Sequence, residues 1–179
     1  MVRYISILLL YTAVISATVV IPISKTKFKI INSNQTKIVN LSNKEFIVVS
    51  LRERGADGRF YAVKDGAVWL SGAISSGAYR YKTPSGVFKV LRKKRYHMSH
   101  DYPSADGVNN MNYSIFFTHR GHALHEGSPE WMSHGCIHID KADIIELFDF
   151  TKVDYTYIVV TQKSYMKYAR EDLLMMREF

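Results

Sequence analysis

The sequence predicts a mainly β domain with one or two peripheral α-helices. Short runs of β-branched and aromatic residues recur over residues 46–162, separated by Gly-, Asp- and Pro-containing turn signals. Only two stretches carry the 3.6-residue apolar period of a helix. At 179 residues the chain suffices for one domain with its own core. A hydrophobic share of 47% against 22% charged residues excludes a disordered or fibrous chain.

The elements follow in chain order. "MVRYISILLLYTAVISATVVIPIS" (1–24) has one charge, Arg3, followed by an apolar run and small residues such as Ala17. This pattern predicts a secretory signal peptide cut near Ala17, or an uncleaved N-terminal membrane anchor. Residues 25–44 lack acidic residues and are rich in Asn, Ser and Lys, which reads as a linker with at most one edge strand. The predicted strands are "FIVVSLR" (46–52), "RFYAVKD" (59–65), "AVWLSGAI" (67–74), "GVFKVLRK" (86–93), "YSIFFTH" (113–119) and "YTYIVVTQ" (155–162). Asp65-Gly66 between the second and third is a hairpin turn signal. "RKKR" (92–95) reads as a solvated strand edge, and 95–112 as a long loop able to cap a groove. "DKADIIELFDF" (140–150) predicts a helix capped by Asp140, and 163–179 a C-terminal helix.

The formal net charge of +8 favours anionic partners. An exported chain with a single cysteine cannot be a disulfide scaffold, so Cys136 is expected to react rather than to cross-link. That cysteine lies in "HALHEGSPEWMSHGCIHID" (122–140) together with His122, His125, His134 and His138. A metal reading of these histidines needs a helix, and Gly121, Gly127 and Pro129 oppose one; no metal is expected. A nucleophile reading needs a thiol, a neighbouring imidazole and a tight turn presenting backbone N–H groups, and "SHGC" offers the turn. His119 and His122 are expected to be strand-end or surface histidines.

"SHGCIHI" (133–139) resembles the SHGC-I-R signature of the YkuD-type L,D-transpeptidase catalytic domain. "ALHEG" (123–127), "SSGAYRYKTPSGVFKV" (75–90) and "NMNYSIFF" (110–117) resemble further segments of that family in the same order. The resemblance spans residues 45–162 and implies a β-sandwich or open barrel. It also implies a cysteine-dependent acyltransferase of peptidoglycan biogenesis that acts on stem peptides without a cofactor. By that resemblance Cys136 is the nucleophile and His125 the general base and acid. Ser133, His134 and Gly135 shape the oxyanion turn and orient the base, and His138, Tyr113 and Trp131 face substrate.

Two departures stand out. Only eleven positions separate His125 from Cys136, and His138 stands where the family generally carries Arg. The resemblance leaves transfer to an amine or to water open, that is, L,D-transpeptidase or L,D-carboxypeptidase. A zinc-dependent wall amidase and a non-catalytic wall-binding module are the other readings. The expected setting is a monomer in the periplasm or cell envelope, with no nucleic-acid partner.

Overall fold

Two layers of apolar side chains dictate the architecture. A computed structural model describes residues 18–51, 58–99, 103 and 109–176. In β4 (Phe46–Leu51) alternate residues point to opposite faces, yet every one is buried. Ile47, Val49 and Leu51 enter one core, while Phe46 and Val48 enter a second. β5 (Gly58–Lys64) and β12 (Tyr157–Thr161) split in the same way, with Phe60, Ala62, Ile158 and Val160 on the first side. Tyr61, Val63 and Val159 lie on the second side. Strands buried on both faces need no polar alternation, which is why these runs read as continuously apolar.

They belong to a nine-stranded sheet. Its other members are β6 (Ala67–Ser75), β7 (Gly86–Lys89), β8 (Arg92–Lys94), β9 (Ser114–Phe116), β10 (Ala123–Glu126) and β11 (Ile137–Ile139). The order is β7-β12-β4-β5-β6-β11-β10-β9-β8. Helix α1 (Lys141–Phe150) seals the first core with Ile144 and Leu147, and Asp140 caps it by accepting from the Ala142 N–H at 2.9 Å. The β5–β6 turn has positive φ at both Asp65 and Gly66, as a two-residue type I′ hairpin requires.

The second core is closed by α2 (Met166–Met175) and by a three-stranded antiparallel sheet. That sheet comprises β1 (Val19–Pro22), β2 (Lys27–Ile31) and β3 (Thr36–Asn40). It corrects the linker expectation for 25–44. Val20, Phe28 and Ile30 are buried against the main sheet, so tertiary burial makes strands of a segment whose polar composition disguises them. β1 also lies inside the segment 1–24 read as a signal or anchor; residues 1–17 of that expectation lie outside the described residues. No helix among the described residues is long and apolar enough to cross a membrane. "RKKR" is the edge strand β8, and the described part of the 95–112 loop frames the cavity described below. The remainder of that loop, 100–102 and 104–108, lies outside the described residues, as do 177–179 of the expected C-terminal helix.

Asp172 joins α2 to both sheets. Its carboxylate accepts from Lys25 Nζ at 2.8 and 2.9 Å and from the Val68 backbone N–H at 2.7 Å. Asp172→Ala leaves that N–H without its partner, and an expected loss of about 1–3 kcal/mol will appear as a lower urea midpoint at unchanged slope.

Candidate active site

One face of the sheet is left uncovered over β8–β11, and the site forms there. β10 and β11 are parallel neighbours with Leu124 opposite Ile137 and His125 opposite His138. Leu124, Ile137 and Ile139 point into the first core. Ala123, His125, Cys136 and His138 therefore share the other face. His125 and Cys136 are diagonal neighbours on adjacent strands, a separation an imidazole can bridge. His125, Cys136, His138, His134, Ser133 and Trp131 all line one open cavity of about 570 Å³.

The turn before Cys136 is held from several sides. Ser133 Oγ donates to the Cys136 carbonyl at 2.6 Å and accepts from the Gly135 N–H at 3.0 Å. The Ser133 N–H donates to the Ser76 carbonyl, and the Ala78 N–H to the Ser133 carbonyl, both at 2.9 Å. Thr83 Oγ1 donates to the Gly135 carbonyl at 2.9 Å and accepts from the Gly77 N–H at 3.0 Å. Gly135 has φ +117°, a conformation that glycine adopts at little cost and a residue with a Cβ does not. The N–H groups of Ser133 and Gly135 thus hold the turn. His134 is exposed at the rim, its ring 4.6 Å from that of Tyr81.

The two central groups are both neutral at rest. His125 is buried, and its Nδ1 lies 2.8 Å from the Glu126 carbonyl. A carbonyl only accepts, so Nδ1 carries the proton and Nε2 keeps a lone pair. Burial, reinforced by His138 and less by His97, lowers the His125 pKa to about 4, against a smaller opposing effect of the Glu126 carbonyl. Burial raises the Cys136 thiol, although the Ala123 N–H directed at the sulfur pulls the other way. The thiol donates to the Gly121 carbonyl at 3.8 Å rather than to His125. Contacts between a nucleophile and its base commonly tighten only when substrate is bound.

His138 stacks edge-on against His125 with ring centroids 4.9 Å apart, and its Nδ1 donates to the Trp131 carbonyl at 2.9 Å. Burial also lowers its pKa, ahead of the opposing carbonyls of Trp131 and Ser128. Trp131 itself is 72% exposed, so its indole stands at the cavity mouth. Tyr113 is placed otherwise. It packs in the first core against Phe148 and beneath the Arg95 guanidinium, and it is absent from the cavity wall. The expectation that it faces substrate is corrected: Tyr113 sits in the turn just before β9, with φ +53°, and its ring packs in the first core.

His122, expected to be incidental, belongs to the cavity wall. Its Nδ1 pairs with Thr118 Oγ1 at 2.8 Å, and a Cβ on Gly135 would lie 3.1 Å from its ring. The only sequence signal was the Thr118–Gly121–His122 turn, which gives no hint of contact with a residue thirteen positions on. His119 is exposed, as expected. Among the described residues no group of three or more His, Cys, Asp or Glu side chains is placed to hold a metal ion.

Comparison with known proteins agrees with this fold. A family model described as the L,D-transpeptidase catalytic domain, YkuD, matches residues 44–161. No curated protein matches the chain. Among solved structures, an L,D-transpeptidase from Stackebrandtia nassauensis is similar at TM-score 0.56 and 22% identity, covering 66% of this chain and 55% of that one. L,D-transpeptidase 1 of Mycobacterium tuberculosis is similar at TM-score 0.55 and 23% identity, covering 77% and 72%. An L,D-transpeptidase from Mycobacterium smegmatis is similar at TM-score 0.56 and 18% identity, covering 77% and 68%. At these identities the likeness shows the fold, and the chain spans about half of the Stackebrandtia protein.

Proposed function

The chain belongs to the YkuD family of L,D-transpeptidase catalytic domains, and on that premise we propose that it is a cysteine-dependent L,D-transpeptidase of peptidoglycan stem peptides. The observation that supports this most is the shared face of β10 and β11, where Cys136 and His125 open into one cavity with the His125 tautomer fixed by the Glu126 carbonyl. In the proposed reaction the thiol proton passes to His125 Nε2 as sulfur attacks the carbonyl of the L-centred diamino acid. The C–N bond to D-Ala breaks, and His125 returns the proton to the leaving amine. A thioester on Cys136 remains until the amine of a second stem attacks it, which forms a 3–3 cross-link and frees the thiol. Water in place of the amine makes the same site an L,D-carboxypeptidase.

Neutral resting partners suit this order of events, because the base must take the proton during attack rather than beforehand. The pH dependence follows from the His125 shift. His125 is a base above about pH 4, so kcat/KM is expected to hold from pH 7 to pH 5 and to fall with an acid limb near pH 4, well below the limb of an ordinary histidine. Initial rates of D-Ala release across that range check this; a limb near pH 6.5 would place His125 in water. The same shift links to stability. The unfolded state takes up the proton below about pH 6.5 and the folded state does not. Stability is therefore full above that pH and declines by about 3 kcal/mol by pH 4.

The proposed setting is outside the cytoplasmic membrane, as a monomer delivered by the apolar N-terminal stretch that ends near Ala17, ahead of β1. The basic balance supports work beside an anionic wall polymer. The deciding experiment uses protein that begins at Thr18, so that β1 is kept. It is incubated with disaccharide-tetrapeptide, with and without an amine acceptor, and the products are weighed. A cross-linked dimer supports the transpeptidase, a bare tripeptide the hydrolase, and no Cys136-dependent product with either overturns both.

A further inference from the structure

The cavity floor can be read strand by strand. Register places Arg92 opposite Phe116, and Phe116 opposite Ala123; one step before the Leu124–Ile137 pair, Ala123 stands beside Cys136, the residue that leads into β11. The adjacent row on the same face begins with Lys94 opposite Ser114 and ends with His125 opposite His138. Two cations on the edge strand β8 thus stand in line with the nucleophile and with its base. Arg92, Lys94 and Arg120 all line the cavity, and Glu126 is the sole carboxylate among the described lining residues. Lys93 points the other way, with its Nζ on the Thr151 carbonyl at 2.7 Å, so the cations facing the cavity are the alternate residues of the strand.

Arg92 is also aimed. Its guanidinium lies over the Phe116 ring, 4.0 Å from the centroid, so it leans one strand inward and is attracted by the ring face. From the Phe116 strand to the Cys136 strand is about 10 Å, two strand spacings of about 4.8 Å each. Subtracting a hydrogen bond of about 3 Å leaves room for a carboxylate roughly 7 Å from the carbonyl under attack. That is the reach of a diamino acid side chain from its L-centre to its far end.

Resting on the reaction proposed above, we propose that Arg92 and Lys94 bind the distal carboxylate of the donor's third residue. The donor class is then a stem peptide whose diamino acid is a dicarboxylate. A lysine-type residue, which ends in an ammonium, is selected against by the same two cations. Arg92 supplies a planar donor fork to that carboxylate and Lys94 a point charge in the row of the base.

Binding tests this without turnover. Three peptides are titrated into Cys136→Ala protein by calorimetry: a tetrapeptide with diaminopimelate at its third position, its distal carboxamide, and the lysine counterpart. The acid is expected to bind about tenfold more tightly than the carboxamide, with lysine the weakest. In an added Arg92→Gln/Lys94→Gln pair the acid and carboxamide should bind within about twofold of each other. Both positions are exposed on an edge strand, so the melting curve should match that of the parent. Arg92→Lys, which keeps the charge and loses the fork, should reduce the preference only in part. Equal binding of acid and carboxamide, a preference that survives in the double variant, or no binding of the acid overturns the proposal. Selective binding without Cys136-dependent product from the intact protein would instead count against the proposed reaction and leave the recognition standing.

Discussion

Cys136→Ala is expected to abolish release of D-Ala and formation of a thioester adduct, a loss of about 10⁶-fold in kcat if it parallels other nucleophile deletions. Nothing else on the cavity face supplies a thiol, since Cys136 is the only cysteine. His125→Gln should cost less, about 10²–10⁴-fold, because a thiol retains some nucleophilicity without its base. The double variant should be no slower than Cys136→Ala alone: with no thiol to activate, the base contributes nothing. Intact-protein mass after incubation with donor peptide reads the adduct, and product mass reads turnover. Cys136 packs lightly, against Met111, Phe116 and Ala123, so its loss should leave the melting curve nearly in place. Undiminished product from Cys136→Ala would sink the nucleophile assignment outright.

Gly77→Ala is expected to disable the site from a residue that touches no substrate. A Cβ on Gly77 would lie 1.8 Å from the Tyr81 carbonyl oxygen and 2.8 Å from Gly135 Cα. Both are backbone, so no side chain can rotate away. Relief comes only by parting the 77–83 loop from the 133–136 turn. That breaks the Thr83 link to the Gly135 carbonyl and the Gly77–Ser133 bridge, and it shifts Cys136. A displacement of about 1 Å at a nucleophile costs about 10²-fold in rate, and overpacking of this kind costs about 1–3 kcal/mol. Activity measured well below the melting temperature separates the two effects. Wild-type rate with an unshifted melt would show that the two loops tolerate separation. Gly72→Ala offers a contrast, since its closest clash, at 2.0 Å, is with the Asp143 carboxylate, a side chain that can turn aside.

Much of the fold was legible before any coordinates. The runs that became β4, β5 and β12 are dense in Val, Ile, Phe and Tyr, and they form the strands buried on both faces. The Asp65-Gly66 turn and the Asp140 cap are local chemistry, fixed by backbone angles and one side-chain oxygen. β10 and β11 were not legible as strands. With four and three residues they are too short for a period to emerge. Their pairing is supplied by Ile74 and Ser75 of β6 on one side and Ile115 and Phe116 of β9 on the other. β2 and β3 escaped notice for a related reason: Lys, Thr and Asn interrupt their apolar residues, and only the surface they cover shows which face is buried, while β1 is the wholly apolar end of the run read as a signal or anchor.

Local composition and order were enough to point to the fold class and the family, and to single out Cys136 and His125 as a candidate pair by resemblance. These depend on local composition and order, which a chain carries whether or not it is folded. Which groups share the cavity with them was set by the tertiary structure. It moved Tyr113 into the core, brought His122 over Gly135, gave the Ser133 and Gly135 N–H groups to the turn, and aligned Arg92 and Lys94 with the catalytic rows. The reason is strand register: which face a residue presents, and what it meets across a sheet, is set by neighbours far away in sequence.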